Sequence, residues 1–292
     1  MGRKLKILIG IVGFFIILAI LGCSTPSSRV GEPAAIQEFT FIKTDDGNYK
    51  YLLVLIDDEQ REIAASGTLT ITIKDKFGNV LYTQSKHIDA EDFKTYRRVL
   101  TGAPIFGYSD MVFKDEVKKG FSSSGVVEVV FKTDSGKILK ASDETYDLPK
   151  MSDEELKMYF ENEYLRNATE INKIAKKEGL ELTVIRCGWY ETLKFNELKK
   201  YFKIDVKVRN YCSEVRKIYV SGAKLIDENG RQYDAGWDSE FKGGEIQPSA
   251  FIEGYLLFED VSEDVKEFKL VWKDGYISGK GYLTFEVEFK VS

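Results

Sequence analysis

The sequence is poor in the residues from which most active centres are built. One histidine, His87, and three cysteines stand among 292 residues. A serine–histidine–acid relay has a single imidazole to draw on, and no G-x-S-x-G elbow occurs to present a nucleophile. Zinc asks for three or four nitrogen or sulfur ligands, which are not available once two cysteines bond to each other. Glycine-rich phosphate cradles are absent. Basic residues number 42 against 47 acidic ones, a net charge of −5, which disfavours a nucleic-acid partner needing clustered Lys and Arg. The sequence therefore predicts no cofactor, no metal and no catalytic residue. Dense Lys and Glu with few Gln give the composition a thermophile-like cast.

What is present begins with an address. Arg3, Lys4 and Lys6 precede an apolar run from Ile7 to Leu21, the charged and apolar regions of an export signal. Fifteen residues rise about 22 Å as a helix, short of the roughly 30 Å hydrocarbon core. The run closes on Ile20-Leu21-Gly22-Cys23, which resembles a lipobox, with Leu21 standing where a small residue is usual. That resemblance implies lipidation at Cys23, with 1–22 as signal peptide or, failing cleavage, membrane anchor. Residues 23–35, rich in Ser, Pro and Gly, suit a flexible tether. Either way the chain is expected outside, held on the outer face of the cytoplasmic membrane.

An exported chain can keep disulfides, and Cys187 and Cys212 form an even pair. Apolar residues occupy odd positions around Cys187 and even positions from Phe202 to Val208. Pairing 187 with 212 makes odd face even, so both apolar phases fall on one side of a hairpin. A Cys187–Cys212 bridge is expected, with two buried free thiols as the alternative.

From 36 to 148 short β-branched and aromatic segments alternate with turns. IKDKFGNVLY (73–82), FKTDSGKILK (131–140) and LIDENGRQYD (225–234) each place Asp and Gly between two strands, Asp to bond the turn backbone and Gly to supply positive φ. None continues into the twelfth-position Glu of a calcium loop. After Pro149 the period changes. Ser152 and Glu155 form a capping box, Leu156, Phe160, Tyr164, Ala168, Ile171, Ile174 and Ala175 make an apolar stripe, and lysines gather before Gly179. This predicts a connector helix over 150–179. Asn167-Ala168-Thr169 is the sole glycosylation sequon, with Asn167 expected inside the stripe.

Residues 180–292 carry a family likeness. Val206, Val208 and Asn210, then Leu225, Asp227, Gly230 and Tyr233, then Ile246, Pro248, Gly254, Leu256 and Phe258 resemble the spacing of the telokin-like, immunoglobulin-fold domain of prokaryotic lipoproteins, with Ser249 where the family commonly has Gly. The likeness implies a β-sandwich and no assigned activity. The fold class expected is mainly β: two immunoglobulin- or fibronectin-like antiparallel sandwiches, 36–148 and 180–292, joined by the helix.

The chemistry left is sparse. His87 and Asp89 would share a strand face, and Asp57, Asp58, Glu59, Asp89 and Asp92 offer carboxylates for a two-acid hydrolase. Trp237 and Phe241 sit in a Gly-rich loop, with Tyr276 in a similar segment. Loop aromatics of this kind stack on a carbohydrate or anchor a protein partner, or else cap their own core. A tethered binding or scaffold module is the expected function. The alternatives are a surface hydrolase and an accessory subunit of an envelope complex.

Overall fold

The computed structural model describes residues 29–98, 101–241, 243–277 and 281–291, without the side chains of 274–277, 281 and 282. Cys23 and the leader lie outside the described residues. The fold is mainly β. In the first half run β1 (Ala35–Lys43), β2 (Tyr49–Ile56), β3 (Glu62–Ile63), β4 (Gly67–Asp75), β5 (Val80–Ile88), β6 (Lys94–Arg97), β7 (Pro104–Val112), β8 (Gly125–Thr133) and β9 (Ile138–Thr145). The helix α1 (Asp153–Asn167) follows. The second half holds β10 (Thr169–Lys177), β11 (Leu180–Lys194), β12 (Glu197–Asn210), β13 (Arg216–Ile218), β14 (Ala223–Asp227), β15 (Gln232–Asp234), β16 (Gly244–Ile246), β17 (Phe251–Phe258), β18 (Glu267–Ile277) and β19 (Gly281–Lys290).

Two compact units emerge. Among the described residues, the first comprises those up to 72 with 83–114 and 127–143; the second comprises 73–82, 115–126 and those from 144 onward. In the first half the strands order as β1-β2-β7-β6, with β3 on β2, and as β5-β4-β8-β9. β4 buries every second residue along its length, the period-two pattern of a strand with one face inward. Leu53, Leu55, Ile63, Ile71, Val129 and Phe131 make the first unit's interior.

The second unit stacks β10-β11-β12-β17 against β15-β14-β18-β19. Leu182, Val184, Phe202, Ile204, Val206 and Val208 meet Leu225, Leu270, Trp272, Phe285 and Val287 in one apolar core, so this part is sandwich-like. The Trp272 indole N–H donates to the Tyr219 carbonyl at 2.8 Å, which lets a polar ring sit fully buried.

The helix is half the expected length. Its start is as read: Ser152 Oγ accepts the Glu155 N–H, and Glu155 Oε2 accepts the Ser152 N–H. It stops at Asn167, whose side-chain amide donates to the Glu163 carbonyl. Residues 169–177 form β10, paired with β11. The stripe misled because Ile171 and Ala175, both packed on the apolar core, are four apart, a spacing that a helix face and an alternating strand share. The lysines and Gly179 that mimic a helix end belong to a hairpin: Glu178 and Gly179 both have positive φ, and Lys177 pairs with Leu180.

The Cys187–Cys212 bridge is likewise corrected. Both thiols are free. The β11–β12 turn falls at Phe195-Asn196, both at positive φ, so Cys187 stands opposite Ile204 and Leu180 opposite Asn210. Cys212 lies beyond β12, where its Sγ takes the Arg216 Nε–H at 3.3 Å and donates to the Glu178 carbonyl at 3.2 Å. Along the strand that is roughly 25 Å from Cys187, whereas a disulfide holds its Cα atoms within about 7 Å. Odd still faces even across Cys187 and Ile204, so parity is satisfied by this register as well and could not select between them. A bulge between Val184 and Arg186 switches the inward phase from even to odd ahead of Cys187.

Candidate binding site

The outer face of β10-β11-β12-β17 is covered by α1. Leu156, Phe160 and Tyr164 of the helix pack with Phe121, Tyr190, Tyr201 and Leu257 in a second buried cluster. At its centre is Lys203, 1% exposed. Its ammonium lies 4.2, 4.8 and 4.3 Å from the ring centres of Tyr164, Tyr190 and Tyr255. It donates to both Glu161 oxygens at 2.8 and 2.7 Å and stands 3.9 Å from Asp205. Three electron-rich faces and a carboxylate replace the water that a buried cation loses. Asp205 also faces Arg186 Nε at 3.3 Å. Burial pushes its carboxyl above the ordinary range despite these two cations. Burial, with the Asp205 charge as the lesser cause, pushes the Cys187 thiol up to about 12. The phenol of Tyr255 is also pushed up to about 12, chiefly by burial.

Beside this cluster opens a cleft of about 310 Å³. Helix α1 lends Tyr159, Phe160, Glu163, Tyr164 and Asn167, the β11–β12 hairpin lends Trp189, Glu191, Leu198 and Lys200, and Phe77, Asn79 and Phe121 close it. One buried carboxylate fixes the last group. Asp75 Oδ1 accepts the N–H groups of Phe77 and Asn79, while its Oδ2 accepts the Phe121 N–H at 2.8 Å. Gly78 gives this turn its positive φ of 85°. The D-x-x-G device legible in 73–82 thus positions two aromatic walls. Phe121 then stacks edge-on against Tyr159 at 5.1 Å and lies 5.1 Å from Phe160. Trp189 is braced edge-on by Phe202 at 5.3 Å.

The polar groups in the cleft are mostly acceptors. Among the described residues Glu191 has no hydrogen-bond or ion-pair partner, and Glu163 meets Arg166 at 3.0 Å. Lys200, the cation among the lining residues, is tied to Glu263 at 2.7 Å and lies 5.2 Å over the Trp189 ring. A larger and more open hollow, about 500 Å³, runs along Lys74, Lys76, Ser124 and Glu144, with Tyr146 as its aromatic contact.

Of the described residues singled out as sites in the sequence, Asn167 borders this cleft and the others lie elsewhere. Phe241 is core: 1% exposed, it packs edge-on against Trp272 at 4.9 Å. Trp237, four residues before it, is wholly exposed. Beside it Asp238 pairs with Lys194, next to Phe195, which is 97% exposed. The Tyr276 side chain lies outside the described residues. Asn167 is exposed at the rim of the cleft, not inside an apolar stripe. His87 Nε2 is 3.4 Å from Asp89 on open surface. Asp57 caps its own turn and binds Arg61. No described group of three or more His, Cys, Asp or Glu could hold a metal, and no described helix is long and apolar enough to cross a membrane. In sequence Phe160, Tyr164 and Asn167 read only as helix stripe or sequon, and the cleft as a site escapes the sequence reading, because a Phe in a turn, a Tyr on a helix and a Trp in a strand come together only through tertiary contacts.

Fold and site together define a mainly β, sandwich-like protein with an aromatic cleft and no described catalytic constellation. Comparison with known proteins adds a family without a function: residues 169–285 match the model described as Domain of unknown function (DUF4352). The uncharacterized protein MJ1535 of Methanocaldococcus jannaschii is 26% identical over 163 residues, which is 54% of this chain and 52% of that one. The chain thus spans about half the length of this curated relative. Among solved structures, the yjhA protein of Bacillus subtilis is 17% identical with a TM-score of 0.29, over 35% of this chain and 78% of that one. The exo-chitosanase CsxA of Amycolatopsis orientalis is 13% identical with a TM-score of 0.22, over 84% of this chain and 26% of its own. Neither likeness bears on function.

Proposed function

We propose that the chain is an exported binding module, tethered to the outer face of the membrane through lipid on Cys23, with two immunoglobulin-type sandwiches as its frame and the cleft beside α1 as its recognition surface. The observation that carries this reading is the cleft itself: aromatic side chains from four separate segments, two of them held by a buried turn carboxylate, beside a Glu191 carboxylate with no described partner. Concave sites of mixed apolar and polar lining are where small ligands bind. The test has two parts. Labelling cells with a radioactive fatty acid, followed by mass analysis of the N-terminal peptide, is expected to find lipid on Cys23. Hydrogen exchange of the purified full chain, with and without a soluble cell-envelope extract, is expected to protect 77–79, 159–167 and 189–200. An unlipidated cytosolic chain, or protection only elsewhere, overturns the reading.

A second reading rests on another observation. Trp237 and Phe195 are almost wholly exposed on either side of the Lys194–Asp238 pair, and large exposed aromatics serve as anchors for a protein partner. An accessory subunit of an envelope complex would lose its cross-links on Trp237→Ser or Phe195→Ser while cleft variants retain them.

A further inference from the structure

Resting on the cleft as recognition surface, we infer its ligand class: a sugar of the pyranose type, neutral or amino, and not an acidic one. Three features select this chemistry. The first is the aromatic lining. Tyr159, 39% exposed, stands with Phe77, Phe121 and Phe160 along the cleft, and aromatic faces favour C–H-rich, slightly positive ring surfaces over flat anionic ones; Trp189, packed on the apolar core with Lys200 over its ring, closes one end.

The second is the sign of the polar lining. Glu191 offers both carboxylate oxygens with no described partner. Asn79 donates to the two Asp75 oxygens at 3.2 and 3.0 Å and Asn167 donates one amide hydrogen to the Glu163 carbonyl at 2.9 Å, so each keeps a side-chain oxygen able to accept, and Asn167 a second N–H able to donate. Lys200 is engaged by Glu263. A ligand that fits must bring donors. Hydroxyl groups do so, and an ammonium on the ring does so more strongly against Glu191. A phosphate, a sulfate or a uronate brings acceptors and negative charge to carboxylates, and is repelled. A purely apolar ligand would leave Glu191 desolvated without a partner, which is costly.

The third is size. About 310 Å³ is at the small end of ligand clefts, enough for a short saccharide and not for a folded partner's side.

The test uses the full-length chain in detergent and three probes: maltotriose, the trimer of glucosamine, and trigalacturonate. Titration calorimetry with Trp fluorescence is expected to show binding of maltotriose or the glucosamine trimer and none of trigalacturonate. Tyr159→Ala, at the rim, is expected to weaken binding at least about tenfold, a loss of the order of a truncated anchor, with an unchanged circular dichroism spectrum. Glu191→Gln, nearly isosteric, is expected to weaken the glucosamine trimer about tenfold and maltotriose less. Preference for trigalacturonate overturns the inference, as does sugar binding that survives Tyr159→Ala. If no sugar binds while the envelope extract still protects the cleft residues, the sugar assignment fails and the binding-module reading stands. If the cleft is never protected, both fail.

Discussion

Around Lys203 the sheet β10-β11-β12-β17 is covered on both faces, and the two faces are built differently. Toward the second sheet β12 presents Phe202, Ile204, Val206 and Val208; toward α1 it presents Tyr201, Lys203 and Asp205. The first face is a dry apolar core. The second is an aromatic box around a cation, with Glu161, Asp205 and Arg186 supplying compensating charge. In sequence, YFKIDVKV (201–208) alternates as a strand with one wet face would. The lesson is that alternation reports polarity and not exposure: Lys203 looks solvent-facing and is sealed, because a helix with Leu156, Phe160 and Tyr164 turned inward lies over it. Such a seam favours one docking of the helix, since any other places an ammonium against hydrocarbon.

Substitutions on the two faces should behave differently. The largest loss is expected on the dry face, where Trp272→Ala leaves a cavity and takes the indole N–H away from the Tyr219 carbonyl, lowering stability by about 3–5 kcal/mol in denaturant titration. On the ionic face Lys203→Ala should cost about 3 kcal/mol by stranding Asp205 and Glu161. The pair Lys203→Met with Glu161→Gln, which keeps the apolar stem and removes both charges, should cost less than about 1 kcal/mol. If Lys203→Ala alone is that mild, the second face is wet and the contrast fails.

The thiols sharpen the contrast without touching packing. Cys212, half-buried, should react with a thiol reagent in the native protein, and Cys187 only on unfolding; a nonreducing mass spectrum should show neither oxidised. The folded Cys187 keeps its proton to about pH 12, whereas the unfolded thiol loses it from about pH 9. The unfolded state therefore releases the proton first. The stability this group contributes is fully present below about pH 9 and falls toward pH 12, with a slope of up to about 1.4 kcal/mol per pH unit. Cys187→Ala should flatten that slope.

Ser152→Ala, which removes the cap of the covering helix, should cost about 1 kcal/mol. Smallest of all is Trp237→Ser, within about 0.5 kcal/mol, whereas Phe241→Ala, four residues on, should lose several kcal/mol.

Much of the second unit could be read from the chain. The strand phase of 202–208, the turn at 227–230 and the capping box at Ser152 rest on local rules, and the structure shows each. What could not be read depends on register and on contacts distant in sequence. The hairpin turn at Phe195-Asn196 has no glycine to mark it, so the pairing of Cys187 stayed free to slide by an even number of residues. Ile171 and Ala175 satisfy two periods at once. Trp237 and Phe241 have the same local chemistry, and only the close approach of the Phe241 backbone to Gly254, where an added Cβ would come within 3 Å, decides which ring goes inward. Asp75 was legible as a turn residue; its grip on Phe121, 46 positions away, was not.

The cleft straddles a boundary that the family match draws. Trp189, Glu191, Leu198 and Lys200 lie within 169–285, while Phe77, Phe121, Tyr159 and Glu163 lie before it. A protein that shares only the matched segment owns one bank of the channel and must find the opposite bank elsewhere, or do without. On the proposed reading, ligand choice is then a trait of the composite and does not travel with the shared module.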